Sequence, residues 1–559
     1  MKKLVSLLLA LALVLSLVSV SAMAEGQELL TIDVYDDAAN YNGIQTGWFA
    51  KVIKDRFNIE LNIIASQVVG NTIYATRSEE GNLGDIIIVD KAKFPEIVEA
   101  GLARDISDKL PACENIMQFK TQIDVYNKGL TGEDGKYYGI PTEMTDTAPD
   151  TLTDDVIYSS PMLRWDLYKE IGAPKLENLD DLLAALEKIH EIHPTNDDGD
   201  PAYPFTLWAD WDGNDNMIGI ANVVQLTTWY GEKLKGSAML KPDYTFSPLY
   251  DRANAYYTIT KFLNKAYQKG LVDPDSGTQN WDNVSAKLSS GRADVMWYSW
   301  QVGFWNSVDR LNAGNAFIFI PVGDQNYYAD ADRYYGSDRM FGIGAGVEGE
   351  KYDRIMAFLD WYASPEGVTF QHDGIEGLNY IVENGKFVPY KDNALMDNLP
   401  VPDEFGGGGY SDGNNAINQW IVSSICVNPI TGERFAQKYW QSYKDMTMTE
   451  MKKEWQAMFD AEDPVDWMKK NGKLLASPSV DFTPAADNND IIALRSEINA
   501  KLCEYTWNLI MSCDTDDAFE AMWDEMVAEL DGLGYNDLFE YDCGVWQPEV
   551  DAKKAAIGM

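Results

Sequence analysis

LLTIDVY at 29–35, IELNIIA at 59–65 and DIIIVD at 85–90 are short runs rich in β-branched and aliphatic residues, and what separates them decides the fold. A helical pattern occupies 46–57 between the first two runs, and another follows the third around 94–100. Strand, helix, strand at this spacing predicts right-handed crossovers and a parallel sheet, because a right-twisted strand feeding a helix packs back onto the sheet in one hand. Ligands of such sheets gather beyond the C-terminal ends of the strands. The loops after Tyr35 and Asp90 are therefore candidate binding positions.

Farther on, the pattern is helical from Asp154 to His193. Leu179, Leu182, Leu183, Leu186 and Ile189 draw an apolar face behind a polar, capped start. Helical patterns recur at 256–269, 352–363, 491–511 and 517–530, while AFIFIPV at 316–322 fits a buried strand. The stretch 404–415, with glycines at 406–409, has the most flexible composition, and no internal repeat is found. A chain of 559 residues exceeds one small core and suggests about two to four domains.

The charge is lopsided, with 45 Lys+Arg against 88 Asp+Glu and a net charge of -43. Such a surface repels polyphosphate and argues against nucleic acid or anionic lipid as partners. At the N-terminus, Lys2 and Lys3 precede an apolar run over 4–20 and then Ser21-Ala22-Met23-Ala24. These are the parts of a secretory signal peptide over 1–24, with the cut expected after Ala24. Retention of the apolar run as an anchor is the alternative. No cysteine lies near the cut, so the expected protein has no lipobox and is extracellular, cell-surface or periplasmic. The cysteines, Cys113, Cys426, Cys503, Cys513 and Cys543, match neither a disulfide framework nor a zinc site and read as free thiols.

Motifs for catalysis fail on their context. GYSDG at 409–413 matches a nucleophile elbow, but that motif needs a strand before it and a later histidine. His190, His193 and His372 all precede it. Glu187, His190, Glu191 and His193 lack the spacing that puts two histidines on one helical face. Tryptophan is more informative, with 17 copies and two local groups. Trp208, Asp210, Trp211 and Asp212 form one; Trp297, Tyr298 and Trp300, with Trp281 and Trp305 nearby, form the other. Flat aromatic faces beside carboxylates suit carbohydrate, whose rings offer apolar C–H faces and hydroxyl edges.

Several motifs in order resemble the family 1 extracellular solute-binding proteins of bacterial ABC importers, in the large branch assigned to oligosaccharides. They are Gly135-Lys136-Tyr137-Tyr138-Gly139-Ile140-Pro141; Arg164-Trp165-Asp166-Leu167-Tyr168-Lys169-Glu170-Ile171-Gly172 with Pro174 and Leu179-Asp180-Asp181-Leu182; Met340-Phe341-Gly342-Ile343; Ala357-Phe358-Leu359-Asp360-Trp361; Ser364-Pro365-Glu366-Gly367; Gly374-Ile375-Glu376-Gly377; and the stretch 524–538. The resemblance implies an α/β periplasmic-binding-protein-like fold of two lobes, discontinuous in sequence and closing like a hinge on ligand held between them. It divides the chain into 25–140 and 339–400 for the first lobe, and 141–338 and 401–559 for the second with the C-terminal helices. Crossings are expected near 139–143, near 338–342 and within 386–409.

The expected function is a non-enzymatic, monomeric receptor that captures an oligosaccharide and delivers it to an ABC transporter permease. A peptide- or lipid-binding receptor of the same fold is the nearer alternative, and a secreted glycan-degrading enzyme the more distant one. Loop position singles out Tyr41, Asn42, Glu143, Trp208, Asp210, Trp211, Trp297 and Trp300 as ligand-binding candidates. Many relatives in this family carry an EF-hand-like calcium loop after the signature helix. Here the matching frame, 193–205, has His193 for the first acid and Ala202 for the closing glutamate. Calcium wants six to eight oxygens. Asn196, Asp197, Asp198 and Asp200 could hold it weakly, but a metal-free turn and no cofactor is the expectation.

Overall fold

The first two β-rich runs pair directly. In the computed structural model, Leu30–Asp36 lies between Ile59–Ala65 and Ile86–Asp90 and runs parallel to both, with Leu30 opposite Ile59 and Val34 opposite Ile86. Residues 28–39, 41–70, 72–213, 217–389, 401–409, 417, 419–485 and 487–559 are described. The expected signal peptide over 1–24 and most of the 409–413 motif lie outside them. Among the described residues no helix is long and apolar enough to cross a membrane.

The chain divides into two units, and each is discontinuous in sequence. One takes the chain up to Pro149 and Asp332–Thr447, the other Asp150–Ala331 and Met448–Met559. In the first, the crossover helix Gly47–Phe57 ends at Asn58, whose left-handed backbone lets its N–H bond the Lys54 carbonyl. The parallel core is then extended by antiparallel strands, Arg339–Ile343 beside Ile86–Asp90 and Gly139–Pro141 beside Arg339–Ile343. Because strand side chains alternate, the sheet is greasy on both faces. Ile32, Val34, Ile63 and Ile88 meet Trp48, Phe358 and Tyr362 on one side. Tyr35, Ile87 and Val89 meet Phe94 and Ile97 on the other. Phe94 fits only because its neighbours are glycine: a Cβ on Gly139 or Gly342 would lie 2.7 or 2.5 Å from its ring.

The second unit is built on a three-stranded antiparallel sheet, Ser159–Arg164 between Val295–Tyr298 and Phe317–Phe319. Leu179–Ile192 is capped by the Asn178 side chain, which accepts from Asp181 N–H. The helices Ala255–Gln268, Asn489–Ser512, Asp516–Leu533 and Tyr535–Ala556 complete it. All five cysteines are free.

The unit boundaries differ from the expected ones, most at the last connection. Residues 401–447 belong to the first unit, not the second. Met144 and Val422 form a parallel bridge. Tyr362 donates from its hydroxyl to the Gln419 carbonyl at 2.8 Å, and the buried Asp373 carboxylate accepts from Gln437 N–H at 2.7 Å. The chain leaves the first unit only after Thr447, so the glycines at 406–409 lie inside that unit.

Candidate functional site

The tryptophan groups converge in the second unit and form layers. Trp208 and Trp297, 0% and 1% exposed, stack with centroids 5.4 Å apart and planes 11° from parallel. Above them lie the partly buried Trp211, Trp281 and Trp300. Trp281 joins that layer, 5.2 Å from Trp211 and 4.9 Å from Trp300. Tyr298 stacks on Trp300 at 5.1 Å. Tyr158 and Phe304, 58% and 38% exposed, form the rim through contacts with Tyr298 and Trp281.

Local backbone chemistry sets these positions. A register shift in Val295–Tyr298 interrupts the ladder between Met296 and Tyr298. Such an irregularity re-aims side chains. The freed N–H groups of Trp297 and Tyr298 both donate to the buried Gln301 Oε1, at 2.9 and 3.1 Å. Asn222 Nδ2 donates to the Trp208 carbonyl at 2.6 Å. Both Asp210 carboxylate oxygens accept from Trp281 N–H, at the start of Trp281–Ser289. Asp212 accepts from Trp507 Nε1 and Ala221 N–H, each at 2.9 Å, and its burial pushes its pKa up to about 6.

Tyr41, Asn42 and Glu143 belong to the other unit. There the Tyr41 hydroxyl donates to Ile44 O, and Asn42 Oδ1 accepts from Ala65 N–H at 3.2 Å. Both shape the loop beside the strand ends. Glu143 has φ 52, bonds the Trp420 carbonyl through its N–H, and pairs with Arg333. A glutamate in the left-handed region marks a place where surrounding structure dictates the backbone. Of the eight candidates, Trp208, Asp210, Trp211, Trp297 and Trp300 share one cluster; Trp208 and Trp297 are its floor rather than its surface. Trp281, known only as a neighbour in sequence, and Tyr158, Tyr298 and Phe304 complete it.

Sequence reasoning also passed over the acidic group at the strand ends. Asp37 pairs with Arg339, and Asp36 is fully buried, accepting from Ala38 N–H at 2.9 Å. Burial pushes the Asp36 pKa from 3.8 up to about 8. Folding thus takes up a proton, and the associated stability is complete below the unfolded pKa and lost as pH rises through about 8. Asp36→Asn is expected to flatten the decline in melting temperature between about pH 4 and 8; a parallel decline in both proteins would contradict this.

The degenerate calcium loop does not fit the ion. Asn196 Oδ1 accepts from Asp198 and Asp200 N–H, at 3.1 and 2.8 Å, and Asn196 Nδ2 donates to Ser290 O. That oxygen organises the turn. Asp197, Asp198 and Asp200 are exposed, while Ala202 is buried. His193 Nδ1 lies 2.9 Å from the buried Asp294, and Arg164 lies 3.2 Å from His193 Nε2. Among the described residues no cluster of His, Cys, Asp and Glu could hold a metal. Calcium added after chelation is expected to leave the melting temperature unchanged; micromolar calorimetric binding would contradict this.

No protein-family model matches the chain. Lipoprotein LipO of Bacillus subtilis is 24% identical over 319 residues, which are 55% of this chain and 58% of that protein. Solved structures match across nearly the whole chain. The alginate-binding protein AlgQ2 without calcium ion has TM-score 0.59 at 16% identity, covering 93% of this chain and 98% of its own. The substrate-binding protein FusA of an S. pneumoniae ABC transporter, in complex with kestose, has TM-score 0.60 at 14% identity over 94% and 99%. An HMO-binding solute-binding protein associated with an ABC transporter from Bifidobacterium longum infantis has TM-score 0.57 at 15% identity over 95% and 100%. An EF-hand mutant of FusA is also similar.

The fold is that of the solute-binding proteins of ABC transporters, as the motif resemblance implied for the fold. The localisation expectation needs correction. An exported protein without a lipobox cysteine conflicts with the Bacillus relative, a lipoprotein. On that finding the unlipidated reading is withdrawn.

Proposed function

We propose that the protein is the receptor of an ABC importer, capturing an oligosaccharide and delivering it to a transporter permease without chemical change. The observation that carries this reading is the layered aromatic surface. Trp211, Trp281 and Trp300 present partly exposed rings on a buried stack, which holds them rigid. Rings held in this way cost little conformational entropy when a sugar face packs on them. The solved structures of the same fold support a binding role, since they include an alginate-binding protein, an HMO-binding protein and FusA in complex with kestose.

The receptor acts as a monomer and needs no cofactor. Asp212 and Asp210 orient the aromatic surface through hydrogen bonds and do not serve as an acid–base pair. A thermal-shift screen of the intact chain against oligosaccharides, peptides and metal ions tests the assignment. A ligand bound only by the folded state raises the melting point. Stabilisation by a glycan with no turnover is expected; release of shortened products would contradict the receptor reading.

A further inference from the structure

Resting on that oligosaccharide reading, we infer that the aromatic surface selects uncharged sugars and discriminates against uronate- or sulfate-bearing ones. The segments that build it, 150–163, 206–213, 217–222, 276–286 and 294–308, contain no lysine or arginine. They do supply Asp210, Asp212 and Asp282, and none of these three makes an ion pair among the described residues.

Of the cations at the ends of these segments, Arg292 donates to the Pro201 carbonyl, Lys469 to the Leu152 carbonyl and Lys452 faces Asp155, and the others are held by carboxylates or by a ring. Lys287 is buried between Asp273 and Asp275, at 2.6 and 2.9 Å. Arg164 pairs with Asp166 at 2.6 Å. Arg310 lies over the Trp305 ring and donates to its carbonyl. The start of helix Trp281–Ser289 is a further electropositive feature, and it is taken: Asp210 accepts from Trp281 N–H and Asn280 from Asn283 N–H. In the other unit, the arginines nearest the candidate residues pair with Asp37 and Glu143. An anionic sugar on this surface would meet the exposed carboxylates of Asp210 and Asp282. A neutral sugar offers hydroxyls that these carboxylates accept from, and hydrogen bonds with an ionised partner are the stronger kind.

The test is calorimetric titration of the intact chain at low salt with two probes. One is the neutral oligosaccharide giving the largest thermal shift; the other is that oligosaccharide with its primary hydroxyls oxidised to uronates. The oxidised probe is expected to bind at least about tenfold more weakly, with the gap narrowing as salt screens the exposed carboxylates. Asp282→Asn, which removes an exposed charge, is expected to narrow it too. Equal or tighter binding of the oxidised probe would overturn the selectivity and leave the oligosaccharide reading standing. Absence of binding by every sugar, charged or not, would overturn both.

Discussion

Trp300→Ala and, independently, Trp211→Ala will weaken oligosaccharide binding at least roughly tenfold, which corresponds to about 1.4 kcal/mol. Both side chains are partly exposed on a buried floor, so truncation removes contact surface while the supporting stack remains. Trp300 is held by Tyr298 at 5.1 Å and Trp281 at 4.9 Å, an arrangement that fixes its plane before ligand arrives. Trp300→Phe keeps an aromatic face and should recover much of the loss. The Trp208 and Trp297 positions predict a different signature. Replacing a fully buried tryptophan by alanine costs about 3–5 kcal/mol of stability, so Trp208→Ala will lower the melting temperature before affinity can be judged. Unchanged affinity in Trp300→Ala and Trp211→Ala would remove both residues from the site.

Asp542→Ala should be among the most destabilising single changes in the second unit. The Asp542 carboxylate is buried and accepts from Arg495 Nη1 and Nη2, at 2.8 and 2.7 Å, and from Ser237 N–H and Oγ, both at 2.6 Å. Arg495 also donates to Asp487 from Nε at 2.8 Å. The cluster joins the long helices Asn489–Ser512 and Tyr535–Ala556 to the turn before Ala238–Leu240. Removing Asp542 leaves Arg495 with Asp487 alone and strands the Ser237 donors in a buried site, and breaking a buried pair costs up to about 3–5 kcal/mol. Urea unfolding followed by circular dichroism checks this. If the curve shows two steps, the shift is expected in one step alone. Replacing the pair by apolar residues, Arg495→Met with Asp542→Leu, should restore part of the loss. A change below about 1 kcal/mol for Asp542→Ala would show that solvent reaches the cluster.

The parallel heart of the first unit was legible because its strands are long, aliphatic and separated by a periodic helix. Gly139–Pro141 and Arg339–Ile343 were legible only as motifs of a family. The first is three residues of glycine, isoleucine and proline, with no alternation to read, and its pairing partner lies about two hundred residues away in sequence. The same problem hid the attachment of 401–447, which rests on isolated contacts such as Met144 with Val422. Tyr535–Ala556 was obscured by Pro548 within it.

At the candidate site, sequence spacing found the tryptophan groups but not their layering. Trp208 and Trp211 are three residues apart, yet one is floor and the other surface. The register shift at Trp297 and the Gln301 side chain that completes it leave no periodic trace. Asp36 was invisible for another reason. An acidic residue at a strand end reads as solvated, and only the packing that buries it raises its pKa.

Calorimetric titration of the intact wild-type chain with the oligosaccharide that most raises its melting temperature tests the central claim most directly. The account predicts saturable one-to-one binding that Trp300→Ala weakens at least roughly tenfold. Failure of every oligosaccharide to bind, with saturable binding of a peptide in the same cell, would contradict it.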